Sequence, residues 1–132
     1  MGFGINLTQI PQKVLQSIER ELPSRAVRAA NALRNGADIV LSGARSGRVY
    51  GGHQASAPGE APAQWSGNLR TKWTPLTDAH MPGIQSEVWY ANLLEGGTPG
   101  GQMAPRPFRD KILAESWPEV SAIYSESWHI SL

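Results

Sequence analysis

The chain reads as an α+β protein: a long N-terminal helix and a C-terminal helix packed on a small antiparallel sheet, with a long Pro/Gly-rich arm projecting. Three observations predict it. Apolar residues recur at threes and fours from about Pro11 to Leu41, as one face of a helix requires. Two short runs, KWTPLTD and GIQSEVW, alternate in part and flank the turn residues AHMPG, so an antiparallel hairpin is the simplest pairing. Between these regions, from about Ala44 to Gln64, the pattern collapses into Gly, Ser, Pro and Ala.

The helical stripe runs through Val14, Ile18 and Leu22 and then Val27, Ala30, Leu33, Ala37 and Leu41. Pro23 has no N–H to donate, so either the helix kinks there or a second one starts near Ser24. Gly43 is the expected stop. The opposite face carries Arg20, Arg25, Arg28 and Arg34. That is a solvated face, or a surface for an acidic neighbour or for DNA.

The arm has two prolines and almost no bulky apolar side chain, so it cannot build a core of its own. A structureless stretch of this length is uncommon inside a compact domain and is usually functional or disordered. Folded back on itself it reaches about 30 Å from the body, which suits a segment that orders against a neighbouring subunit. After it, Ser66 reads as the N-cap of a short turn through Gly67, Asn68, Leu69 and Arg70. Pro75 places its strand at an edge. Tyr90 to Glu95 forms one or two helical turns ended by Gly96 and Gly97, and Pro107 opens a helix with Phe108, Ile112 and Leu113 on its apolar face. Pro118 kinks that helix or begins a last segment, and SESWHISL reads as a flexible tail.

One domain accommodates all of this. It has a helical part (1–44), the arm (45–65), a region of sheet and short helices (66–104) and the C-terminal helix and tail (105–132). A chain of 132 residues buries about two thirds of the surface its unfolded form exposes. Cysteine is absent, so disulfides, thiol nucleophiles and cysteine-held metals are excluded and the fold stands on packing alone. No apolar run approaches a bilayer span, and the first residues lack the basic flank and apolar stretch of a leader, so residence in a cytoplasm is expected. Myristoylation at Gly2 is discounted because Asn6 stands where Ser or Thr is wanted.

Net charge is +1 but unevenly placed. Residues 1–72 carry nine basic side chains against four acidic, and residues 73–132 three against seven. Such a dipolar subunit suits head-to-tail packing on copies of itself.

No catalytic, cofactor or metal site is expected. His53, His80 and His129 fall in a loop, a turn and the tail without metal-ligand spacing. SGRVYGG lacks the Lys-Ser/Thr ending of a phosphate loop, and neither Ser46 nor Ser66 sits in a G-x-S-x-G turn. Glu60, Glu87 and Glu95 are acids that the sequence brings to no common cleft. The five Trp and three Tyr are interleaved with basic residues only near Arg70, Lys72 and Trp73, so they read as core and interface residues rather than a stacking platform.

Three blocks in order carry a further signal: ASAPGEAPAQWSGNLR (Ala55–Arg70), VWYANLLEGGT (Val88–Thr98) and MAPRPFRDKIL (Met103–Leu113). Their order and spacing resemble a family of small proteins of tailed bacteriophages and prophages, the tail-component, neck or head-to-tail joining proteins. The resemblance covers about residues 50–115. It departs from the family at Gly96, where an aromatic is frequent, and at Arg109, where an apolar residue is frequent.

What the resemblance implies is a structural virion protein without enzymatic activity or cofactor. It forms a sixfold or twelvefold homo-oligomeric ring, assembled in the host bacterial cytoplasm and placed between connector and tail proteins. Genomic DNA passes through without sequence recognition, and no membrane is involved. Under this reading Arg48, Tyr50, His53, Pro58, Glu60, Pro62, Arg70, Glu95 and Arg106 are candidates for the subunit interface. Ser66, Gly67, Leu69, Tyr90, Leu94, Gly96, Gly97, Pro107 and Phe108 are structural. Glu95 is expected to bond backbone donors or an arginine, and Arg106 to pair with an acid. The alternatives are a tail-terminator ring and, from another class, a duplex-DNA-binding module using the arginines of the first helix.

Overall fold

A computed structural model describes residues 11–50, 52–63, 67–101 and 103–130, with Tyr50 described by its backbone alone. In chain order the elements are α1 (Gln12–Ser42), β1 (Val49–Tyr50), β2 (His53–Gln54), α2 (Asn68–Thr71), β3 (Trp73–Leu76), β4 (Gly83–Ser86), α3 (Ala91–Gly96) and α4 (Arg109–Ser125). The α+β expectation holds, with helices at both ends and a small antiparallel sheet between.

α1 and α4 pack against each other with opposite chain direction, since Gly36 meets Ile112 and Ser116 whereas Arg25 meets Ile123 and Glu126. Their seam is built from small residues: Ala26, Ala29, Ala30, Ala32, Gly36 and Ala37 are buried. At Gly36 a Cβ would lie 2.7 Å from Ser116 Oγ and 3.2 Å from the Ile112 carbonyl oxygen, so α4 comes as close as a bare backbone permits. This close approach selects the face of α1 that is covered. Val27, expected on the apolar stripe, is exposed, and its place is taken by the alanine rows.

Neither internal proline breaks its helix. α1 continues through Pro23 and α4 through Pro118, because tertiary packing outweighs the single missing backbone hydrogen bond. α4 begins at Arg109, two residues later than Pro107 suggested. Its start is set by the Glu95 carboxylate, which accepts from the Phe108 and Arg109 amides at 2.7 and 3.2 Å.

The predicted hairpin is present, with Trp73 opposite Ser86, Thr74 opposite Gln85, Pro75 opposite Ile84 and Leu76 opposite Gly83. Its turn is held by Asp78 Oδ1, which accepts from the His80 and Met81 amides. The core gathers Ala37, Leu41, Ala61, Ala91, Phe108 and Ile112, with Leu69, Trp73, Ile84 and Leu94 packed against them. Trp73 meets the Phe108 ring edge to face at 6.2 Å. Phe108 and Leu69 thus take the structural places expected of them.

Two expectations are corrected. The stretch after Ala44 does not project as a whole: it carries a two-residue hairpin, β1 with β2, and then returns to the body, where Ala61 and Pro62 are buried. Pro62, expected at a subunit interface, is therefore packed within its own chain. The end is not a loose tail either, because residues 126–130 dock on α1. Arg25, 4% exposed, donates to the carbonyls of Ile123 (2.5 Å), Glu126 (3.1 Å) and Ser127 (2.8 Å). Its guanidinium also lies 3.8 Å from the centre of the Trp128 ring. These carbonyls have no helical partner at the end of α4, and one buried guanidinium serves them together.

Candidate functional site

The three sequence blocks fold into one hydrogen-bonded unit. Arg106, in the third block, sends its backbone N–H to the Leu94 carbonyl in the second at 2.6 Å and its Nε to Ser56 Oγ in the first at 2.8 Å. Its Nη1 donates to the Ala104 carbonyl at 2.9 Å. The acid expected to pair with Arg106 is replaced by carbonyl and hydroxyl acceptors, which fix an extended Pro-Arg-Pro segment without needing a second charge. The Gly59 N–H meets the Pro105 carbonyl at 3.2 Å, and Lys111 Nζ donates to the Gly59 carbonyl at 2.6 Å. The second and third blocks are tied again by Met103 N–H to Thr98 Oγ1 at 2.8 Å and by the Glu95 cap on α4.

Glu60 closes the base of the arm. Its carboxylate accepts from the Ala57 N–H (2.6 Å), the Ser46 N–H (3.0 Å) and the Ser46 hydroxyl (2.9 Å). These donors, the Ala57 amide foremost, hold its pKa down to about 2. Beside it Gly47 is obligatory, since a Cβ there would fall 2.6 Å from the carbonyl oxygens of both Ala55 and Ser56. Gln54 Nε2 also donates to the Gly47 carbonyl. The arm is thereby a short hairpin on a rigid base.

Other predicted residues fall as follows. Arg48, His53 and Pro58 are exposed on or beside the hairpin. Arg70 Nε lies 3.1 Å from Asp38 Oδ1 on α1, so this arginine ties α2 to the first helix. Gly67 precedes α2 at φ +81°, and Gly97 ends α3 at φ +79° and ψ 172°, a conformation that belongs to glycine. Gly96 is the last helical residue and has no such requirement. Tyr90 packs edge to face on Trp89 and, with Leu94, Leu69 and Met103, lines a cavity of about 430 Å³ between the arm base and α3. Ser66 and the Tyr50 side chain lie outside the described residues.

The arginine face of α1 is divided by the fold. Arg25 is buried on the chain end, and Arg28 forks onto the Glu126 carboxylate, which the arginine holds below the usual carboxylate range. Arg20 and Arg34 remain exposed. Two histidines acquire acidic neighbours that the sequence did not place beside them. His80 Nε2 is 3.2 Å from Glu19, and His129 Nδ1 is 3.0 Å from Glu21, whose carboxyl the hydrogen bond lowers. Among the described residues no group of three or more His, Asp or Glu comes together as a metal site would need, and no helix is long and apolar enough to cross a membrane.

Sequence reasoning missed Ser46, Gly47, Ser56 and Arg25. The serines and Gly47 sit in low-complexity sequence, where nothing distinguishes a hydrogen-bonding serine or an obligatory glycine from a spacer. Arg25 had a signal, because its helical phase matches that of Gly36 and Ala29 rather than that of Arg20 and Arg34. Comparison with known protein families, curated proteins and solved structures finds no match to this chain.

Proposed function

We propose that the chain is a structural virion protein of a tailed bacteriophage, forming an oligomeric ring in the neck that joins head to tail or completes the tail. The observation that carries this reading is the convergence of the three blocks. Segments separated by tens of residues are bound through Arg106, Glu95, Glu60 and Gly59 into a rigid base from which one hairpin stands out. A base so heavily cross-tied, with no convergent acid pair or metal cluster among the described residues, suits holding a shape rather than turning over a substrate. The dipolar charge of the two halves adds support, since a ring needs unlike faces in contact at every junction.

The DNA-binding alternative loses two of its four helix arginines to internal contacts, Arg25 to carbonyls and Arg28 to Glu126. The deciding experiment is electron microscopy of a lysate in which this gene alone is disrupted. Filled heads and free tails that do not join are expected. Abnormally long tails would assign the chain to the tail terminator, and intact infectious particles would remove the neck reading.

A further inference from the structure

The hairpin arm and the most exposed apolar groove lie on opposite flanks of α4. Lys111, which bonds Gly59, marks the flank on which the arm base sits. Leu113 comes two residues later and so points about 200° further round the helix. There, with Ile112, it walls a cavity of about 440 Å³ completed by Leu33, Ile84, Val88 and Ala91. The mouth of this groove is apolar and uncovered. Leu113 is 51% exposed, Trp117 one turn further on is 58% exposed, and Trp89, next to Val88, is 82% exposed. Large aromatic side chains left this far out of the core are the usual anchors of protein interfaces.

We propose that the groove receives the arm hairpin of a second copy of the chain, with Val49 entering beside Leu113. Val49 is 64% exposed at the hairpin while the residues that follow it return to the body. The arm cannot turn back to its own groove, because Glu60, Gly59 and Lys111 pin its base to the far flank of α4. Donor and receiver are therefore different surfaces of one chain, and a contact between them is heterologous: each copy gives one arm and takes one, so the contact repeats into a ring or a filament. Charge favours the same pairing. The arm belongs to the basic half of the chain, whereas Glu87, Glu95 and Asp110 outnumber Arg109 on and beside the groove lining. The proposal rests on the ring reading only for the expectation that copies associate.

The absence of native cysteine makes the test free of background. Val49→Cys and Leu113→Cys single variants of the full chain are mixed under mild oxidation, and the double variant is oxidised alone. A disulfide-linked dimer only in the mixture, and a ladder of multimers from the double variant, are the expected results. Val49→Cys paired with Ala122→Cys, on another face of α4, should give neither. Oligomers seen by light scattering without the Val49–Leu113 product would overturn this contact and leave the neck role standing. A chain that stays monomeric and unlinked at high concentration would overturn it as well. In the native background Leu113→Arg should weaken self-association about tenfold or more while leaving the circular dichroism unchanged. Cross-linking reads the contact and microscopy of the lysate reads the role, so the failure of one is distinct from the failure of the other.

Discussion

At Glu60 a single carboxylate organises the turn that brings the arm home, and its ionisation is the handle by which this can be tested. Its folded pKa of about 2 lies below the ordinary 4.5. The stabilisation it contributes is therefore complete above the unfolded value and is lost as pH falls through about 2. Following the Glu60 side-chain carboxyl by NMR should give a midpoint near 2, with the Ser46 and Ala57 amide shifts moving in step; a midpoint at 4.5 with static amides would disprove the arrangement. Glu95 is a second organising acid. Glu95→Ala should destabilise the fold by about 1 kcal/mol, the ordinary worth of a helix cap, read by chemical denaturation. Glu95 as a donor-seeking acid was legible in the sequence, since it stands two residues from a glycine-ended helix and shortly before a Pro-rich helix start. Glu60 was not, because its partners are the amides of a loop whose path no periodicity encodes.

The helices illustrate what an element owes to its neighbour. The extent of α1 was legible to within one residue, as was the β3–β4 pairing, because periodicity and turn chemistry are local signals. Which face of α1 is buried was not legible, because it depends on α4 approaching the Gly36 backbone. Replacing Gly36 with Ala should therefore destabilise the protein by about 1–2 kcal/mol, overpacking outweighing the gain of about 1 kcal/mol in helix propensity. Adding Ser116→Ala should recover only part of that loss, since the Ser116 Cβ and the Ile112 carbonyl stay within 3.1 and 3.2 Å of the new methyl group. At the other end of the same pair, Arg25→Met removes the donor to three carbonyls. It should cost about 2–3 kcal/mol in thermal or chemical unfolding and shift the emission of Trp128, which loses the guanidinium above its ring. An unshifted emission would mean that the chain end docks without Arg25. The docking itself could not be read from SESWHISL, because its anchor stands 98 to 102 residues earlier in the chain.

For the whole molecule, the uneven charge of the two halves makes association sensitive to salt. If unlike halves meet at each junction, self-association should weaken as ionic strength rises and the Debye length falls below about 10 Å. The free chain should bind duplex DNA weakly, with a shallower salt dependence than four neutralised phosphates would give. Filter binding at several salt concentrations checks this, and a steep slope would return the arginine face of α1 to consideration. The seam between α1 and α4 carries one last consequence. Alanine and glycine have no side-chain torsions to freeze on burial, so this interface forms at little cost in rotamer entropy. It also gains little from each residue, so evolution cannot easily improve it by enlargement. A deep mutational scan should show a lopsided tolerance along positions 26, 29, 30, 32, 36 and 37: small residues interchange freely, and each added carbon is rejected. Mutational drift in this protein is then channelled away from the helix pair and towards the hairpin and the groove, the surfaces on which variants could acquire new neighbours while the scaffold stays fixed.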